Sequence, residues 1–165
     1  MHPHFNEHTL EMSIMELFQQ EGYIYTNGED ISKEASDVIL REDLCVYLRS
    51  RYAKDGITEL EVESVIAKLT AANGFLLYDK NVNTYRLMTE GFSLKREDKT
   101  QPDLFIEPID FENEGKNTFR IVNQLEIQGD VKRIPDGIVY VNGLPVVVLE
   151  FKSAVKEDTT IMDAY

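Results

Sequence analysis

The chain has 165 residues, of which 42% are hydrophobic and 28% are charged, and its formal net charge is −13. No apolar run reaches the roughly 18 residues that a membrane span needs, and the one cysteine, Cys45, excludes an internal disulfide. The acidic charge argues against a general nucleic-acid binder, which carries a basic surface, but it is compatible with an enzyme that binds a metal ion through carboxylates. The amino terminus has no signal-peptide pattern, so we expect a cytoplasmic protein with no membrane partner.

Three helices are predicted in the first half of the chain. Residues 7–21 carry an apolar stripe at helical spacing, and Gly22 follows as a stop. Residues 36–53 repeat that spacing. Thr58 and Glu61 match a capping box, which predicts a third helix from there to about Ala72. The stretch 23–32 contains Asn27-Gly28 and is predicted to be a turn or loop.

Strand patterns dominate the second half. "FLLYD" (75–79) and "TYRLM" (84–88) predict a small hairpin, and residues 93–103 predict a polar surface loop. β-branched and aromatic residues predict three further strands, and the tail from residue 156 has the pattern of a helix start. Helices first and strands after them indicate an α+β fold. The three strands are expected at 119–127, 137–141 and 145–151.

Two carboxylates stand at the ends of the last two predicted strands. Asp136 begins one strand and Glu150 ends the next, and Asn142-Gly143 between them is a strong hairpin signal. A three-residue loop would set Asp136 directly opposite Glu150. A two-residue loop would set Asp136 opposite Leu149 instead, unless a β-bulge restores the register. A shared site requires one face, so we predict the longer loop or a bulge.

Carboxylates on directly opposed strand positions lie about 5 Å apart at Cβ and repel each other unless a cation sits between them. Mg²⁺ suits such a pair, because it prefers hard oxygen ligands and keeps several waters. The backbone carbonyl of Phe151 is a candidate third ligand. Lys152 shares the face of Glu150, and its ammonium group is suited to orient a water or stabilise charge on a phosphate.

These residues carry a family resemblance. Pro135-Asp136 and Glu150-Phe151-Lys152 match the PD-(D/E)xK nuclease signature, which is short and weak by itself. The surrounding sequence resembles the amino-terminal nuclease domain of type I restriction enzyme R subunits in three segments. They are "RIPDGIVYVNGLPVVVLEFKS" (133–153), "IDFENEGKNTFRIVNQ" (109–124) and "LEMSIMELFQQEGYIY" (10–25).

The resemblance implies a PD-(D/E)xK restriction-endonuclease-like core that cleaves DNA with Mg²⁺. It also implies that ATP is used by motor domains beyond residue 165, and that methylation and specificity subunits are partners. Within residues 1–165 it implies a first core helix and loop (1–28), an inserted helical and hairpin lobe (29–100), and the catalytic sheet with the start of the next helix (101–165). The rest of the core is expected to lie in a longer protein, and activity of this part alone is doubtful.

The resemblance assigns the site residues one by one. Asp136 and Glu150 are metal ligands and Lys152 is the catalytic lysine, whereas Glu11, with Glu7 as the alternative, matches an auxiliary acid. Lys132, Arg133 and Gln124 are candidate DNA contacts, although the family's second arginine is replaced by Ile134. A Gly-Lys pair at 115–116 lacks Walker A spacing, so no ATP site is predicted here. The alternative function is a non-catalytic docking module with the nuclease fold.

Overall fold

The computed structural model describes residues 7–34, 36–71, 77–129 and 131–152. This part of the chain contains four α-helices and eight β-strands, so the predicted α+β class is confirmed. The helices are α1 (Glu7–Gln20), α2 (Arg41–Arg51), α3 (Glu59–Thr70) and α4 (Leu77–Glu90). The strands are β1 (Ile24–Asn27), β2 (Phe92–Leu94), β3 (Leu104–Ile106), β4 (Phe119–Asn123), β5 (Ile127–Gln128), β6 (Lys132–Arg133), β7 (Gly137–Val141) and β8 (Leu144–Leu149).

The chain divides into two compact units. Unit 1 consists of residues 1–38 and 119–165, and unit 2 consists of residues 39–118. Unit 1 is built on a four-stranded mixed sheet in the order β1-β4-β7-β8. β1 runs parallel to β4, and the other two pairs are antiparallel. A separate antiparallel pair, β5 and β6, follows β4.

The core of unit 1 lies between α1 and one face of its sheet. Met15 of α1 is buried together with Ile121 and Val139, which project from β4 and β7. Five partly buried apolar or aromatic residues surround them: Phe18, Tyr23, Tyr25, Leu149 and Phe151. The predicted first helix is confirmed to within one residue, and Gly22 follows it at a φ of +91°, a left-handed conformation that glycine adopts readily.

Unit 2 has a core of its own, formed by the facing sides of α2 and α3. Leu44 and Leu48 of α2 and Val62 and Val65 of α3 are fully buried. The predicted capping box is confirmed: the Thr58 hydroxyl accepts from the Glu61 N–H, and the Glu61 carboxylate accepts from the Thr58 N–H. β2 and β3 pair with each other in the same unit.

Several sequence predictions were wrong. Residues 24–27, predicted as loop, form β1, because their strand partner β4 is distant in the chain and gives no local signal. A hairpin was predicted over 75–88, but the described part of this stretch is helical, since α4 begins at Leu77. Half-buried side chains recur along α4 at helical spacing, at Lys80, Thr84, Leu87 and Met88. The second helix begins at Arg41 rather than residue 36. The strand predicted at 119–127 ends at Asn123, and the predicted loop at 93–103 begins within β2.

The third helix, predicted to run to about Ala72, ends at Thr70. The helix start predicted after residue 156 falls outside the described residues. Cys45 is buried, as expected for a core residue. Among the helices that the structure describes, none has the length and apolar character needed to cross a membrane.

Candidate active site

The β7–β8 hairpin turns at Asn142 and Gly143, which have φ angles of 51° and 79°. Two successive positive φ values are what a two-residue type I′ turn requires, and Asn-Gly is its preferred sequence. Val141 therefore pairs with Leu144, and Tyr140 pairs with Pro145. The three-residue loop that we considered is not formed, because the Asn-Gly pair closes the tighter turn.

A β-bulge follows this turn. The register shifts between Val139 and Tyr140, so that Val146 has no partner on β7 and Val139 pairs with Val147. The pairing then continues to Gly137 and Leu149. One step further, this register sets Asp136 opposite Glu150. The predicted bulge is therefore confirmed, and its register, continued by one step, puts positions 136 and 150 opposite each other.

A hydrogen bond ties Asp136 to the end of β8. The Phe151 N–H donates to Asp136 Oδ2, with an N–O distance of 2.5 Å. This contact fixes one carboxylate oxygen beside the Glu150–Lys152 stretch, and Oδ1 remains for another ligand. Asp136 is half-buried, whereas Glu150 and Lys152 are exposed. The acid before β7 is thus held in place, and the acid and amine after β8 are accessible to solvent.

The two faces of the sheet differ at this end. A Cβ added to Gly137 would lie 3.1 Å from Met15 Cε and 3.3 Å from Leu149 Cδ1, so positions 137 and 149 face α1. Because side chains alternate along a strand, Asp136 and Glu150 are assigned to the opposite face. Lys152, two residues beyond Glu150, is assigned to that same face.

Glu11, the candidate auxiliary acid, lies on α1 and is only 6% exposed. Its Oε1 accepts two hydrogen bonds, from Asn123 Nδ2 at 2.8 Å and from Gln124 Nε2 at 2.9 Å. His8 Nδ1 lies 3.8 Å from the other oxygen, Oε2. These amide donors compensate for the burial of the carboxylate, which would otherwise be strongly unfavourable.

Within the described part of the chain, no three His, Cys, Asp or Glu side chains are grouped so as to hold a metal ion. Glu11 therefore does not join Asp136 and Glu150 as a third carboxylate of one cluster. It lies with α1, on the face to which Gly137 and Leu149 point. The structure brings together Asp136 and the end of β8, and it holds Glu11 apart in a network of amides.

The three candidate DNA contacts have protein partners. Gln124 directs its amide to Glu11, and Lys132 forms an ion pair with Glu126 at 2.7 Å. Arg133 lies in the exposed strand β6, where it pairs with Ile127 of β5. Their contact with DNA stays a prediction.

Sequence reasoning missed the environment of Glu11. The sequence analysis assigned no role to Asn123, and it placed Tyr25 in a predicted loop. In the structure the Tyr25 hydroxyl donates a hydrogen bond to Asn123 Oδ1 at 3.1 Å. Two adjacent side-chain amides in the middle of a predicted strand were the one available signal. They did not indicate which acid they would meet, because that acid is more than 110 positions away.

Comparison with known proteins gives one family. A family model described as the N terminus of the type I restriction enzyme R protein matches residues 4–165. The chain is similar to the type I restriction enzyme HindI endonuclease subunit of Haemophilus influenzae, at 30% identity over 97% of this chain. It is also similar to a putative type I restriction enzyme MjaIXP endonuclease subunit of Methanocaldococcus jannaschii, at 29% identity over 96% of this chain. The alignments cover only 16% of the length of each of these two relatives.

Proposed function

Because this chain belongs to the family of type I restriction enzyme R protein N termini, we propose that it is the nuclease domain of a longer R subunit. In this proposal the domain has a PD-(D/E)xK core and cleaves DNA in the presence of Mg²⁺. The observation that carries the proposal is the bulged register of β7 and β8, which sets Asp136 opposite Glu150. The names of the relatives as endonuclease subunits support the same reaction class.

The donor set fits Mg²⁺, because it consists of hard oxygen atoms from two carboxylates and a backbone carbonyl. Asp136, Glu150 and the Phe151 carbonyl would hold the ion. The Phe151 N–H, bonded to Asp136 Oδ2, orients the Asp136 carboxylate and leaves Oδ1 for it. When bound, Mg²⁺ would polarise the phosphate and help to activate a water.

Lys152 supplies the cationic group of the site. Lys152 directly follows Phe151, whose backbone N–H donates to Asp136. The Lys152 side chain is exposed, so its ammonium group is accessible to a phosphate. There it stabilises the negative charge that develops on the phosphate oxygens as the phosphodiester bond breaks. Glu11, which lies apart from the acidic pair, is proposed to act on the site through water rather than as a direct neighbour.

The longer protein supplies what this domain lacks. With a net charge of −13, the domain is poorly suited to find DNA by itself. In the proposal, ATP-driven motor domains deliver the DNA, and methylation and specificity subunits choose it, in the cytoplasm. The domain then needs only a local site for hydrolysis.

Calorimetric titration of this chain with Mg²⁺ and Mn²⁺ tests the metal site. Asp136→Ala and Glu150→Ala should each abolish binding, because each removes one of two carboxylate ligands. Glu16→Ala removes an exposed acid of α1 and should leave binding unchanged. Binding that is absent in the wild type, or is insensitive to the first two changes, would favour a non-catalytic docking module.

Cleavage is tested in the full-length subunit with its partners and plasmid DNA. Lys152→Ala should retain metal binding and reduce cleavage by at least 100-fold, since a group that stabilises the transition state contributes on that order. Persistent cleavage in this variant would remove Lys152 from the mechanism.

A further inference from the structure

Glu11 is held by a network that joins three elements of unit 1. Asn123 ends β4, is 3% exposed, and donates to Glu11 on α1. Tyr25 on β1 donates its hydroxyl to Asn123 Oδ1. This donor fixes the orientation of the Asn123 amide, so that its NH₂ group points to Glu11. A side chain held at both ends in this way has little freedom to turn.

Gln124 contributes the second donor from an unusual backbone conformation. Its φ is +51°, in the left-handed region that residues other than glycine rarely adopt. Gly28 packs directly behind this turn: a Cβ added to it would lie 2.4 Å from Leu125 Cα and 2.7 Å from Gln124 C. The strained conformation ends β4 and turns the Gln124 amide back toward Glu11. Such strain persists only where surrounding contacts enforce it, and it is concentrated at functional sites.

This network lies at the end of the sheet where the acidic pair lies. Val122 pairs with Ile138 across β4 and β7, and one more step of that register sets Asn123, the last residue of β4, opposite Gly137, which follows Asp136. Both amides bind the same oxygen of Glu11, Oε1. His8 Nδ1 lies 3.8 Å from the other oxygen, Oε2, which is beyond hydrogen-bond distance, so Oε2 can accept from a water.

We propose that Asn123 and Gln124 are positioning residues for the nuclease reaction, which fix the Glu11 carboxylate through Oε1 so that Oε2 can hold a water through which Glu11 acts on the acidic pair. This inference rests on the proposed nuclease function. It assigns the two amides a role within the protein rather than in DNA contact.

The test is the Mg²⁺ dependence of plasmid cleavage by the full-length subunit in its complex. Gln124→Gly relieves the left-handed strain but also removes a donor to the buried Glu11 carboxylate, so the two effects on the thermal unfolding midpoint oppose each other and only a small change is expected. The Mg²⁺ concentration for half-maximal cleavage should increase about 10-fold, which is typical when a residue that supports a metal site without touching the ion is lost. Gln124→Met keeps the side-chain size without the amide and should show the same increase.

Two further variants complete the experiment. In a Glu11→Gln background, Gln124→Gly should add no further increase, because the two residues act as one unit. Gln101→Gly changes an exposed glutamine of unit 2 and should alter neither readout. An unchanged Mg²⁺ dependence in Gln124→Gly and Gln124→Met, with cleavage lost in Asp136→Ala, overturns this inference and leaves the nuclease site standing. Cleavage that persists in Asp136→Ala overturns both.

Discussion

Glu61 is a carboxylate that the fold of unit 2 buries to 2% exposure. Arg96 Nε donates to it at 2.8 Å, and the N–H groups of Thr58 and Glu97 donate as well. Burial raises the pKa of Glu61, but the hydrogen bonds from Arg96 and the two backbone groups outweigh it and lower the pKa below its ordinary value. One residue thus caps α3 and anchors the segment after β2.

Replacing Glu61 by Gln should destabilise the protein by about 3 kcal/mol at pH 7, because the nearly buried Arg96 loses its counter-ion. Because the pKa of Glu61 is lowered on folding, the extra stability of the wild type is fully present above about pH 4.3, the pKa of a glutamate in the unfolded chain. This extra stability is lost as the pH falls through the lower pKa of Glu61 in the folded protein. Chemical denaturation at pH 7 and at about pH 3 measures this difference.

Glu63→Gln is the matched control on the same helix. Its partner Arg41 is 52% exposed, and an exposed ion pair contributes about 0–1 kcal/mol. If the two changes lower the free energy of unfolding equally, or if the effect of Glu61→Gln does not depend on pH, then Glu61 does not stabilise unit 2 as a buried, charged carboxylate.

At the scale of elements, the valine run of β8 contains one residue more than can pair with β7. The two-residue turn starts the pairing in one register, and the bulge at Val146 shifts it by one before the acids are reached. The bulge therefore decides which face of the sheet carries Glu150.

Shortening the run Val146–Val148 by one valine should remove the bulge and keep Asp136 opposite Glu150. Shortening it by two valines should move Glu150 opposite Gly137 and onto the other face, because no spare residue remains to correct the register. Calorimetry with Mn²⁺ should find binding in the first variant and at least a tenfold loss in the second. Circular dichroism checks that both are folded, and equal binding would exclude a role of the register.

These elements also mark what the sequence could predict. α1 and α3 carry their complete signals locally, as a stripe with a glycine stop and as a capping box. β1 has no such signal, since its partner is β4 and the two are joined only in the folded sheet. For the site, the motif predicted Asp136 and Glu150 as partners, but it could not choose between a longer loop and a bulge, because both give the same pairing.

At the scale of the whole molecule, unit 2 has the features of a structure that folds by itself. The excised segment 39–118 should unfold cooperatively in urea, because Leu44, Leu48, Val62 and Val65 are fully buried and the helices that carry them, α2 and α3, both lie within the segment. Leu48→Ala should lower its unfolding free energy by about 2–5 kcal/mol. Leu60→Ala, at a site that is 64% exposed, should change it by less than about 0.5 kcal/mol. A gradual, non-cooperative transition would contradict this autonomy.

The parallel pairing of β1 with β4 has a consequence for synthesis on the ribosome. β1 emerges early, but all of unit 2 must follow before its neighbour strand exists. During that interval the nascent chain presents Met15 and Tyr25 without the sheet that covers them. If residues 39–118 fold as they emerge from the ribosome, the flexible segment between β1 and β4 becomes shorter. The conformational entropy lost when these two strands pair is then smaller. The order of translation then favours completing unit 2 first and the four-stranded sheet last.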